Sequence, residues 1–459
     1  MIDLPDAMFT TPEMASIFSG EARLQRMLDF EAALAHAQAR SEILPEQAAI
    51  DIADKCRVKL FDVETLYREA AVAGTPVIPL VRMLAELVED RSRGYVHWGA
   101  TSQDAVDTGM VLQARDGLDH LIQRLRVVGD GCASLAERHR DAPMPGRTLL
   151  QHALPVSFGL KAAHWLSLIA RQIRALERVR VETGFVQLGG GAGTLASLGS
   201  EGIRVTEFLA EKLGLAVPEI PWHTDRDRVV ELVTVLAIAT GAMAKIAADV
   251  ALMMQTEVAE VAQSAAGIRA GSSTMPQKRN PVDAAVVAAS ARVMVGVVSA
   301  ALASMVQEHE RGVGGWQAEW AVVPDAFRLA SSAVDRVRSI VETLEPDLGR
   351  MRSNLDVARG QIMSEALMMR LAPQVGKQEA YRLVASAVQR AVDQDINLQD
   401  AAAGDDEIRA VLDRESIEET FDPLRYLGSS HEFIRRAVDG FRESSSGRPS
   451  EGIKVRSDG

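Results

Sequence analysis

Val229-Val230-Glu231-Leu232-Val233-Thr234-Val235-Leu236-Ala237-Ile238, continued by Met243 and Ile246, sets apolar residues three and four apart. That spacing marks a helix with an apolar stripe, here too broad for a single partner helix to cover. The pattern extends from about Asp225 to Gln263, and four other segments share it: about Asp104 to Arg140, Pro155 to Val186, Pro281 to Glu310 and Trp316 to Leu344. At about 1.5 Å per residue each spans roughly 40 to 60 Å. Such lengths predict a multi-helix bundle, and the stripe widths favour a helical oligomer over a monomer with a thick core.

The composition agrees. Apolar residues make up 47% of the 459 but aromatics only 4%, a balance that suits close-packed helices and predicts an all-α fold. Three helical domains are expected. Residues 1–105 form a small first domain, led by a helix from Glu21 to Ser41 whose apolar face (Leu24, Met27, Leu28, Ala32, Ala35) is interrupted by Glu31. Residues 106–346 form the central long-helix and oligomerisation domain, residues 347–441 a third domain of shorter helices. The tail, 442–459, holds serine, glycine, proline and charge and is expected to be disordered. Nothing repeats at the period of a solenoid.

A formal charge of −13 argues against a nucleic-acid partner or an anionic membrane surface, both of which need a basic face. Two isolated cysteines, Cys56 and Cys132, offer neither a disulfide framework nor a zinc site and suit a reducing cytoplasm. The start, Met1 to Met14, lacks the basic-then-apolar pattern of a signal peptide. Ala284 to Val306 is the most membrane-like stretch, but Arg292 breaks it, leaving less than the roughly 18 uninterrupted residues of a span. It reads as a buried bundle helix.

Four polar segments lie at ends of the long helices: His97 to Asp104, Arg147 to His152, Gly271 to Asn280 and Gln307 to Arg311. Helix ends with free N–H groups and a few cations suit carboxylates. The third segment, Gly271-Ser272-Ser273-Thr274-Met275-Pro276-Gln277-Lys278-Arg279-Asn280-Pro281, offers hydroxyls, a point charge and an amide, and Pro281 opens a helix. From spacing alone, a serine-rich connector explains it equally well. The run Gly189-Gly190-Gly191-Ala192-Gly193-Thr194 follows a helix rather than a strand and lacks a Gly-Lys-Ser/Thr ending, so it is not read as a nucleotide loop. His36, His120, His139, His164 and His431 read as core or surface residues; His97, His152 and His223 border the polar segments. No histidines stand at metal-ligand spacing and no Gly-x-Ser-x-Gly elbow occurs. Acid–base chemistry on an anionic substrate, without cofactor or metal, is what remains.

Gly271 to Pro281 resembles the signature of the fumarase/aspartase superfamily, Gly-Ser-Ser-x-Met-Pro-x-Lys-x-Asn-Pro, at every fixed position. His97-Trp98-Gly99-Ala100-Thr101-Ser102-Gln103-Asp104 is similar to its first polar motif, Arg147-Thr148-Leu149-Leu150-Gln151-His152-Ala153 to its second, and His309-Glu310-Arg311 to a further active-site stretch. Pro221-Trp222-His223-Thr224 with Arg226-Asp227-Arg228, and Gln307 to Arg311 with Trp316 and Glu319-Trp320, draw the whole length closer to the lactone-forming cycloisomerases of that superfamily. The resemblance implies a homotetramer with a common bundle of central helices, active sites shared between subunits, and a small-molecule tricarboxylate as substrate. It implies Ser272 as the proton-transferring serine, with Lys278 and Asn280 stabilising the charged intermediate. Thr101 and Ser102 would bind carboxylate, Arg311 would assist Lys278, and His97, Gln151, His152, Ser273 and Thr274 would contact substrate.

One departure is informative. Many members carry Thr-His in the second motif where this chain has Thr148-Leu149. A histidine helps a poor leaving group depart, whereas a carboxylate, whose acid has a pKa near ~4, leaves without a proton. A lactone-opening and lactone-closing enzyme can therefore lose that histidine cheaply. The alternatives are another lyase of the superfamily, such as adenylosuccinate lyase, or a helical structural protein that has lost the chemistry.

Overall fold

A computed structural model of the chain describes residues 4–264, 275 and 278–445. It is helical nearly throughout, as the composition predicts. The long helices are α1 (Gly20–Arg40), α2 (Ser102–Arg138), α3 (Phe158–Glu182), α4 (Asp227–Met253), α5 (Val282–Ser304) and α6 (Gly315–Thr343). Two small antiparallel sheets accompany them among the described residues: β1 (Pro143–Thr148) with β2 (Gln151–Ser157), and β3 (Val261–Gln263) with β4 (Leu344–Pro346).

Local chemistry sets these limits. Ser19 caps α1 by accepting from the Ala22 N–H at 3.1 Å. Asp104, in the first turn of α2, accepts from the Thr101 N–H at 2.9 Å, the return half of a capping box. The helix expected from Pro155 starts instead at Phe158, because Pro155 pairs with Pro145 in a β-hairpin that the sequence reading missed. Its two-residue turn, Leu149-Leu150, has both residues at positive φ, +50° and +64°. Such turns usually carry Asn-Gly, so nothing in Leu-Leu announces one. The helix expected to run to Gln263 stops at Met253, since the Asp347 N–H bonds to the Glu260 carbonyl and Val261–Gln263 pairs with β4.

The chain divides into two compact units, each assembled from separate segments. The first comprises Met1–Arg124, Gln172–Ala244 and Val286–Arg336. Its core joins the apolar face of α1 (Leu24, Met27, Leu28, Leu34) to Leu80, Leu84, Val186, Leu188, Val205, Leu209 and Trp316. The second comprises Leu125–Arg171, Lys245–Ala285 and Val337–Gly459, with one core among Leu367, Leu371, Leu383, Leu398, Ile408 and Ile417. The last helix runs from Ser430 to Ser445, so the first residues of the expected tail are helical, and Arg442 pairs with Glu137 at 2.9 Å.

Among the described residues two helices, α4 and α5, are long and apolar enough to cross a membrane by length and composition. The most apolar window of α4 is 61% buried and that of α5 only 28%. The expectation of a buried helix at Ala284 to Val306 therefore fails for the single chain: among the described residues little covers it, and Val293, Val295 and Leu302 are exposed.

Candidate active site

Within the first unit the polar stretch after residue 96 is held at every turn. His97 and Gly99 take left-handed backbone, φ +57° and +72°. A Cβ at Gly99 would lie 2.6 Å from Leu198, so that position requires glycine on two counts. Two buried side chains of α1 hold the stretch from below. Glu31 Oε1 stands 2.6 Å from His97 Nδ1, and Gln38 donates to the Trp98 carbonyl at 2.6 Å.

Asp104 is the hub on the other side. Fully buried, it accepts from the Thr101 N–H, from the Gly189 and Gly190 N–H groups at 3.0 Å each, and stands 2.7 Å from His223 Nε2. The two glycine amides thus point at a carboxylate, which explains the glycine-rich run without a phosphate. Gly189 also leaves no room for a side chain, since a Cβ there would meet the His223 ring at 2.7 Å. His223 becomes a structural residue.

Arg311 completes this side of the site. It donates to Thr101 Oγ1 at 2.9 Å and to the Gly190 carbonyl at 3.4 Å, and its buried Nε has no partner among the described residues. The structure thus joins Thr101 and Arg311 directly. Ser102 opens α2 beside them in sequence and is half-buried.

Behind the site lies a buried ion network. Arg226 donates to Asp107 at 2.8 Å and to Glu319 at 3.0 Å. Asp107 also accepts from the Trp316 indole at 2.9 Å and from Gln103 and Gln187 at 3.2 Å. Gln307 reaches Glu319 at 3.4 Å, tying the segment that carries Arg311 to the network. Burial opposes charge on Arg226, but Asp107 and Glu319 outweigh it and raise its pKa; burial pushes the Glu319 carboxyl up despite the arginine. The network joins α2 and α6 to Arg226, the residue just before α4, within this unit.

In the second unit Gln151 and His152 open β2, the first exposed and the second half-buried. Burial, and then the neighbouring Arg147, lowers the His152 pKa. Arg147 grips the buried Glu260 with both nitrogens, at 2.8 and 2.6 Å, and Asn354 donates to the same carboxylate at 2.9 Å. Leu149 stands 96% exposed at the hairpin tip. Lys278 is exposed and Asn280 half-buried just before α5. Ser272, Ser273 and Thr274 lie outside the described residues. Among the described residues no cluster of histidine, cysteine, aspartate or glutamate could hold a metal.

Sequence reading missed Glu31, Gln38 and Asp104 as supports, and Arg226 with its partners. Only Glu31 left a usable signal, a charge on an apolar helical face. Gln38, Asp104 and Arg226 take partners 60 to 119 residues away in the chain.

A family model described as Lyase matches residues 7–296, and one described as Adenylosuccinate lyase C-terminus matches 360–437. The chain is 43% identical to the 3-carboxy-cis,cis-muconate cycloisomerase of Pseudomonas aeruginosa over 95% of its own length and 97% of that protein. Among solved structures it superposes on the 3-carboxy-cis,cis-muconate lactonizing enzyme of Pseudomonas putida with a TM-score of 0.91 at 42% identity, covering 96% of this chain and 99% of that one. The β-carboxy-cis,cis-muconate cycloisomerase of Acinetobacter calcoaceticus gives 0.90 at 36%, covering 95% and 100%. With the signature met in full and the likeness spanning nearly the whole chain, this protein belongs to the fumarase/aspartase superfamily of lyases.

Proposed function

We propose that this chain is a cycloisomerase interconverting 3-carboxy-cis,cis-muconate and 4-carboxymuconolactone, a step of protocatechuate catabolism by the β-ketoadipate pathway. The observation that carries the reading is near-full-length similarity to enzymes of that name, at 43% identity for the Pseudomonas aeruginosa protein. Leu149, where many relatives of other specificity have histidine, agrees with it.

In the forward direction one carboxylate oxygen of the substrate adds to an alkene carbon. The displaced π electrons delocalise into a conjugated carboxylate. Ser272 then gives its hydroxyl proton to the adjacent carbon and regains one from solvent, so a trianion and one proton become a dianionic lactone. In reverse Ser272 is the base. A serine hydroxyl is a weak acid, so charge on its oxygen and on the intermediate needs nearby donors, the role given to Lys278 and Asn280. Thr101, Ser102 and Arg311 hold a substrate carboxylate; the hydrogen bond between Arg311 and Thr101 supports that pairing. His97, Gln151, His152, Ser273 and Thr274 contact substrate. No cofactor takes part.

A homotetramer in the cytoplasm suits the same reading. The exposed apolar face of α5 supports subunit contact, and the free, buried thiols of Cys56 and Cys132 support a reducing compartment. A three-domain division at 105 and 346 is supported by the start of α2 at Ser102 and the end of β4 at Pro346.

The test follows the conjugated diene absorbance of 3-carboxy-cis,cis-muconate without metal or nucleotide. The wild type should abolish it and Ser272→Ala should not. A wild type inactive on this substrate but active on another superfamily substrate refutes the assignment, and activity retained by Ser272→Ala refutes the mechanism.

A further inference from the structure

Glu31 breaks the apolar face of α1, and it is only 1% exposed. A carboxylate there is costly unless compensated, and its compensation is half complete. Oε1 stands 2.6 Å from His97 Nδ1, whereas Oε2 is buried and has no hydrogen-bond partner among the described residues. Two turns along the same helix the buried Gln38 holds the next residue of the loop, through the Trp98 carbonyl. Holding the loop therefore does not explain a charge at position 31. A neutral amide does that work seven residues away, and would leave no buried carboxylate behind.

We propose that Glu31 is a positioning residue acting through His97: by occupying Nδ1 it fixes the ring and leaves Nε2–H as a donor for a substrate carboxylate, in the loop that carries Thr101. The proposal rests on the carboxylate-substrate reading above. Among the described residues, His97 makes no other protein hydrogen bond that would occupy Nε2. The ring is 15% exposed, which leaves it one open approach. A histidinium already paired with a carboxylate adds a donor to the pocket without adding net charge. Arg311 supplies the unbalanced cation.

The charged groups acting on the ring are Glu31 from α1 and Asp104 from α2. Burial opposes the histidinium, yet the two carboxylates prevail and raise its pKa. Burial, and then Glu31, pushes the Cys56 thiol up, so it stays neutral and does not compete for the pair. Because the histidine pKa is raised, the charged ring is present at low pH and is lost as pH rises through the raised value.

The test compares wild type with Glu31→Gln, His97→Gln and the double variant. In Glu31→Gln, KM should rise about tenfold, the worth of one hydrogen bond to a charged group, while kcat changes by less than about threefold. The alkaline limb of kcat/KM should move down by about one pH unit. Adding Glu31→Gln to His97→Gln should change KM by less than about twofold, since the two act as one. Unchanged KM and limb, or multiplicative effects in the double variant, overturn the proposal. A lower melting temperature and kcat with an unmoved limb also overturn it, making Glu31 a packing residue. If Glu31→Gln does not fold, an unchanged KM in His97→Gln does the same.

A substrate-free readout separates this idea from the functional assignment. Protonated histidine quenches a nearby indole, and Trp98 adjoins His97, so the wild-type pH titration of tryptophan fluorescence, less that of His97→Gln, reports the ring. Its midpoint should fall in Glu31→Gln; an unmoved midpoint sinks the proposal whatever the substrate is.

Discussion

Arg226→Met exchanges the buried guanidinium for an apolar chain of similar length and leaves Asp107 and Glu319 facing each other without their cation. The arginine side chain is 0% exposed and its partners 1% and 3%, so water cannot take its place. Breaking a buried ion pair by removing one partner costs about 3–5 kcal/mol, a large share of the roughly 5–15 kcal/mol that holds a folded domain together. The thermal midpoint should drop by roughly 5–10 °C, read by calorimetry or dye-binding melts. The pH dependence has a definite sign. Burial already raises the Glu319 pKa, and removing Arg226 raises it further, favouring the protonated form in the folded state. That stabilisation is fully present below the unfolded glutamate value and is lost as pH rises through the raised folded value. The deficit of the variant should therefore be smaller in mildly acidic buffer than in alkaline buffer. Adding Glu319→Gln should recover part of it by removing one orphaned charge. A drop below about 2 °C, or a deficit that grows as pH falls, would refute the reasoning.

Gly99→Ala should cost about 1–3 kcal/mol from its positive φ alone, and the new methyl must push Leu198 aside; kcat/KM should fall about tenfold or more with the displaced loop. Steady-state kinetics checks this, and a variant with normal kinetics argues against a rigid loop. Leu149→His should change the cycloisomerisation rate by less than about threefold, because the carboxylate leaving group needs no proton; a large gain in rate would contradict that account. Val295→Glu places a charge on the exposed apolar face of α5 and should lower the assembly mass in light scattering, since an unpaired carboxylate buried at an interface costs several kcal/mol. An unchanged mass would remove α5 from the subunit contact.

The long helices were legible because each repeats apolar residues over many turns, and their observed ends differ mainly where tertiary pairing cuts in. Met253 ends α4 early because the following chain, Val261–Gln263, pairs with Leu344–Pro346, far along the chain. The hairpin of residues 143–157 was hidden for a different reason. Pro-Met-Pro-Gly-Arg-Thr has little β-branched character, and the Leu149-Leu150 turn breaks the usual preference for glycine or asparagine. In the candidate site, the polar motifs revealed Thr101 and Arg311, and the structure joins them. Their supports were not readable: Arg226 and Glu319 stood out only through the family resemblance, and nothing in their spacing shows that the fold buries Arg226 between residues 119 and 93 positions away.

The discontinuous build of the two units bears on how the chain emerges from the ribosome. Residues up to Arg124 belong to a unit that also needs Val286–Arg336. At about 5–20 residues per second, that early segment waits roughly 10–40 s for its last partners. Throughout that interval the apolar face of α1 and the first half of α2 lack part of their native cover, which makes the nascent chain a natural client for chaperones. Neither unit can be expressed by cutting the sequence at one place, and a truncation before Arg336 removes part of the first unit as surely as a deletion at the start.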